Sequence, residues 1–134
     1  MTASPLQRLQ LLWILWFLAL LFHTDLGLMP LFHGQSATIA TEVDASRLPL
    51  VFWAMLLYAL VPMAVLLVNA YTAVRRWRWF QFGVGVVYTV TNGLHLVVDI
   101  LIPDSRGDQV TLMAVMLLLG LLINREGWRW CRGG

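Results

Sequence analysis

The chain has 134 residues, 60% of them hydrophobic and only 12% charged, with a mean hydropathy of +0.75. A soluble domain carries about 25% charged residues, so an ordinary water-soluble domain is excluded and lipid becomes the expected solvent. The net charge is +2 and the pI near 9.2, but the basic residues lie at the ends of apolar stretches, where membrane topology places them rather than nucleic acid.

Ser4-Pro5-Leu6-Gln7 has the grammar of a helix start: a serine cap, proline at the first helical position, and an S-x-x-Q capping box. The following run is apolar from Leu11 through Phe22 and is read as a first span over about residues 6–29, before Pro30. A cleaved signal peptide is the competing reading; the single arginine ahead of the run and the lack of an A-x-A site favour a retained helix. Residues 33–47 are polar and read as a loop.

A second span is expected over about residues 48–71, with Pro62 inside it, which membrane helices tolerate. Arg75-Arg76-Trp77-Arg78-Trp79 forms a basic, aromatic turn. The third span covers about residues 80–102 and stops at Pro103, and the fourth about 109–123. Asn124 to Arg132 then reads as an interfacial end. The fold class that follows is an all-α membrane protein: one transmembrane domain over residues 1–134, built as a four-helix up-down-up-down bundle.

Arginine positions set the orientation. Arg8, Arg75, Arg76, Arg78, Arg125, Arg129 and Arg132 fall on one side, with Arg47 and Arg106 on the other, and there is no lysine. The positive-inside rule puts the seven-arginine side, with both termini, in the cytoplasm. The expected location is a bacterial cytoplasmic membrane.

The halves resemble each other in outline. Phe22-His23 through Asp25 to Pro30 parallels Leu94-His95 through Asp99 to Pro103, and each hairpin ends in a Trp-Arg-Trp triplet, at 77–79 and 128–130. Two repeated helical hairpins are one explanation; recurrent interfacial anchors are the other. Counting from Pro5, His23 is 18 residues along, roughly 27 Å, and His95 is 16 from Trp79, roughly 24 Å, so the two histidines reach similar heights near the outer face.

Ionisable side chains within a span mark a functional site by default. Tyr88, Asn92, His95 and Asp99 follow steps of four, three and four, forming one helical stripe. Asp99 is placed either to orient His95 through one ring nitrogen or to ligate beside it; helix glue is the alternative. His23, Asp25 and His33 complete the candidate metal ligands, although His23 and Asp25 are about 200° apart on a regular helix. Histidine and carboxylate without thiolate suit zinc, iron, manganese or copper(II), and a bis-histidine haem b between His23 and His95 is a second option. The lone Cys131 offers neither a disulfide nor a Cys/His knuckle.

Three functions remain open on these residues. The chain holds a metal ion or haem near the outer face, or is an accessory or assembly subunit contacting other membrane subunits or itself through a plain fourth helix, or transports cations as a small oligomer. Enzyme activity has no specific signature: no nucleophile–base pair, phosphate loop or G-x-S-x-G elbow can be assembled.

Overall fold

The computed structural model describes residues 3–35, 45–101 and 106–133. Four helices account for nearly all of them: α1 (Pro5–Phe32), α2 (Leu48–Asn69), α3 (Arg75–Leu101) and α4 (Gly107–Arg132), with a 3-10 turn at Ala45–Arg47 ahead of α2. All four are long and apolar enough to cross a membrane, and the protein is an all-α four-helix membrane bundle. Glu42, Asp44 and Asp104 lie outside the described residues.

The capping box at the start of α1 forms as its sequence predicts. Ser4 Oγ accepts from the Gln7 amide at 3.2 Å, and Gln7 Oε1 accepts from the Ser4 amide at 2.8 Å. Helix α1 continues through Pro30 to Phe32, which frees the Leu26 carbonyl from its usual donor four residues on. Arg106 Nη1 replaces that donor at 2.9 Å. The same device recurs in α2. Pro62 leaves the Tyr58 carbonyl without its helical amide, and the Tyr88 hydroxyl of α3 donates to it at 2.7 Å. Each proline thus creates an acceptor that another part of the chain uses to dock.

The helices alternate in direction. Between α3 and α4, Gly85 faces Asn124, Thr89 faces Gly120 and Gly93 faces Leu117, an antiparallel register. A Cβ on Gly85 would lie 2.8 Å from Asn124 Oδ1, and one on Gly120 would lie 2.7 Å from Thr89 Oγ1. Small residues therefore let the two backbones approach, and Asn124 Nδ2 donates to Thr89 Oγ1 at 2.9 Å across the same seam. Gly83, the other glycine at the start of α3, meets no neighbour among the described residues within 4 Å of a Cβ and has no part in this contact.

Helix α4 is the inner member: it runs closely against both α1 and α3. It extends nine residues past Ile123 because partners from other helices satisfy its polar residues. Glu126, 5% exposed, accepts from Arg8 Nε at 3.0 Å and from Arg129 at 3.3 Å. The fourth helix is accordingly packed rather than a bare docking face. The core between helices is aromatic: Trp13 and Trp16, 0% and 1% exposed, meet the Tyr88 ring edge-on, and Tyr58 stacks on Tyr88 at 4.6 Å. Among the anchor tryptophans, Trp130 is buried and Trp77 donates to Asn69 Oδ1 at 2.6 Å, while Trp79 and Trp128 remain exposed.

Helix α2 packs unevenly. Its buried residues, Pro62, Val65 and Asn69, all lie in the half that ends beside α3's start, and every residue from 48 to 57 is exposed. In packing, the two hairpins are not equivalent: α4 is central, and α2 closes only half of the bundle.

Candidate metal centre

The uneven packing of α2 leaves a cleft of about 940 Å³ at the end of the bundle away from the chain termini. All four helices contribute to its wall. At its polar end, α1 supplies His23, α3 supplies His95 and Asp99, and α4 supplies Gln109.

His95 and Asp99 are one helical turn apart, so their side chains meet on the same face. His95 Nε2 lies 3.4 Å from Asp99 Oδ1. His23 reaches the pair from α1, with its ring centroid 5.8 Å from that of His95 and the ring planes at 86°. One ligand atom from each of the three lies within 4.8 Å of the other two. Two ligands about 2.05 Å from a tetrahedral metal lie about 3.4 Å apart, so the His95–Asp99 pair already has the spacing of neighbours in a coordination shell. Bringing His23 to the same spacing requires a shift on the order of 1 Å.

Buried polar atoms ordinarily have hydrogen-bond partners. Here His23 Nδ1, Asp99 Oδ2 and Gln109 Oε1 are buried and have none among the described residues. The Gln109 amide is fixed by donating from Nε2 to the His23 carbonyl at 3.2 Å, which ties the start of α4 to the turn of α1 that carries the histidine. Arg106 lines the cleft, but its guanidinium is engaged by Asp108 and by the Leu26 carbonyl.

The five candidate ligands do not converge as one set. His23, His95 and Asp99 come together. Asp25 is exposed and separate from them, as the two-residue step on a continuous helix requires. His33 caps the C-terminal end of α1, exposed, and is likewise outside the cluster. The stripe on α3 divides by role. Tyr88 and Asn92 are buried in helix contacts, with Asn92 Nδ2 donating to the Met113 carbonyl at 3.2 Å, and only His95 and Asp99 belong to the cluster.

Sequence reasoning missed Gln109 and Tyr58. Gln109 sits one residue past a charged turn, where an amide looks like an ordinary helix start; Tyr58 is a single aromatic in an apolar run. In comparisons with known proteins, the chain matches no family model, no curated sequence and no solved structure.

Proposed function

We propose that this small polytopic membrane protein holds one divalent transition-metal ion between His23, His95 and Asp99, close to the outer face of the membrane. The observation that carries the reading is the convergence of two imidazoles and a carboxylate from two helices within 4.8 Å. The buried atoms Asp99 Oδ2 and His23 Nδ1, without a partner among the described residues, support it, since a cation is a partner that a carboxylate and an imidazole accept. Three protein ligands leave at least one position free, the pattern of sites that bind a further ligand rather than of closed structural sites.

A bare ion fits these residues better than haem. A carboxylate oxygen within 4.8 Å of both imidazole ligand atoms occupies space that a macrocycle between the rings would need. The orientation rests on the arginines: seven lie at the end that bears the termini, so the positive-inside rule directs that end to the cytoplasm and the cluster outward. A bacterial cytoplasmic membrane is the location we propose.

The test is elemental analysis of protein purified in detergent, with zinc added and the excess removed. Stoichiometric zinc is expected for the wild type and for Asp25→Asn and His33→Ala, and loss of most of it for His95→Ala, His23→Ala and Asp99→Asn. Equal zinc in all six proteins, or none in any, refutes the site. Metal-free protein that co-purifies with a larger membrane complex would favour the accessory-subunit reading, for which the exposed residues 48–57 of α2 supply an unpacked apolar surface.

A further inference from the structure

We propose that the cleft beside the cluster binds a single-chain fatty acid, with the carboxylate on the metal's open position and the acyl chain along the cleft. The inference rests on the metal reading and names the ligand that completes that site.

Charge selects the head. A divalent ion held by two neutral imidazoles and one carboxylate leaves a net charge of +1 within membrane-spanning helices, where an uncompensated charge is unfavourable. Arg106 adds no free charge, because it is already engaged by Asp108. One anionic oxygen ligand brings the site to neutrality; a neutral ester or alcohol does not.

Shape and wall chemistry select the tail. The cleft's volume, about 940 Å³, lies within the range that holds cofactor-sized ligands. Beyond the polar end, its walls are Phe17, Leu20, Met55, Met113 and Met116, with Tyr58 at the side. Methionine adapts to flexible shapes, which suits an aliphatic chain. Leu21 of α1 and Met55 of α2 both line the cleft and are 50% and 57% exposed, so part of its rim is apolar surface on two membrane-spanning helices, the kind of surface that lipid covers. A fatty acid dissolved in the bilayer reaches the cleft from that apolar side.

Oleate is the probe, methyl oleate its neutral control, and native mass spectrometry of the full chain in detergent, with and without one equivalent of zinc, the readout. The expected result is a 1:1 oleate adduct on the zinc-bound protein, with binding about tenfold or more tighter than for methyl oleate, as for a site left with an unmatched polar group by the wrong ligand. Ala54→Phe, and independently Ala59→Phe, fill the cleft away from the ligand atoms and should remove the oleate adduct while zinc stays stoichiometric, which also reports that the variants are folded. Zinc bound without preference for oleate over methyl oleate overturns the fatty-acid inference and leaves the metal site standing. Oleate bound equally well without zinc overturns the role of the metal in holding the head. Protein that takes up no zinc overturns both, and elemental analysis identifies that case separately.

Discussion

Tyr88 and Pro62 form a pair whose energetic coupling can be measured. Pro62 removes the amide that would serve the Tyr58 carbonyl, and the Tyr88 hydroxyl donates to that carbonyl at 2.7 Å. Tyr88→Phe deletes the hydroxyl but keeps the ring, which is stacked on Tyr58 and edge-on to Trp13 and Trp16. The loss therefore isolates one hydrogen bond and leaves a buried carbonyl short of a donor. Leaving such a group unpaired costs about 1–3 kcal/mol in general, and interhelical hydrogen bonds in membrane proteins average about 0.6 with a maximum of about 1.7. We expect about 1 kcal/mol for Tyr88→Phe. Pro62→Ala restores an amide in α2, so in that background the carbonyl has its helical donor and the cost of Tyr88→Phe should fall by about 0.5–1 kcal/mol. The double-mutant cycle is read by titrating detergent-solubilised protein with dodecyl sulfate and following the fluorescence of the core tryptophans. Equal costs for Tyr88→Phe in the two backgrounds would show that the hydroxyl does not replace the missing amide.

The seam between α3 and α4 predicts an asymmetry between glycines. Gly120→Val should lower stability by about 1–3 kcal/mol through overpacking against Thr89, whereas Gly83→Ala, with open space at its Cβ, should be neutral or slightly stabilising by thermal melting in the same detergent. Glu126→Ala should cost about 1–3 kcal/mol, because Arg8 and Arg129 lose a shared, buried partner; Arg8 is one-third exposed, which holds the loss below that of a fully buried pair. A cost for Glu126→Ala that is unchanged in an Arg8→Ala background would rule out the pair with Arg8 as its source. Zinc binding should weaken on acidification, because the ligating forms are neutral imidazole and ionised carboxylate, and binding displaces protons. The dissociation constant, measured by competition with a chelating dye, should rise between about pH 8 and about pH 5; a constant value across that range would exclude histidine ligation.

Much of this architecture was legible because a bilayer imposes it. Four apolar runs bounded by arginine, proline and tryptophan have few ways to fold, and Ser4 to Gln7 announced its own cap. The His95–Asp99 pair was equally visible, since a four-residue step on a helix fixes proximity whatever surrounds it. What could not be read was how helices share neighbours. Asn124, Arg125 and Glu126 look like the end of a span because each is polar; the helix continues because Thr89 and Arg8, far away in sequence, supply partners. Hydropathy also ranked α2 as the most apolar helix without indicating that half of it is left unpacked. The choice of His23 over His33 and Asp25 depended on α1 continuing unbroken past Gly27, which the freed Leu26 carbonyl and Arg106 make possible.

The half-packed state of α2 separates stiffness from access. Local stability follows buried contact, and the outer half of α2 buries no side chain, whereas the ligand-bearing turns of α1 and α3 are joined through α4. None of the three clustered side chains belongs to α2. The helix with the greatest freedom to swing can therefore widen or narrow the cleft without moving a ligand atom. Amide exchange should be fastest along residues 50–57 and slow around His95, dividing the molecule into a rigid frame and a compliant wall.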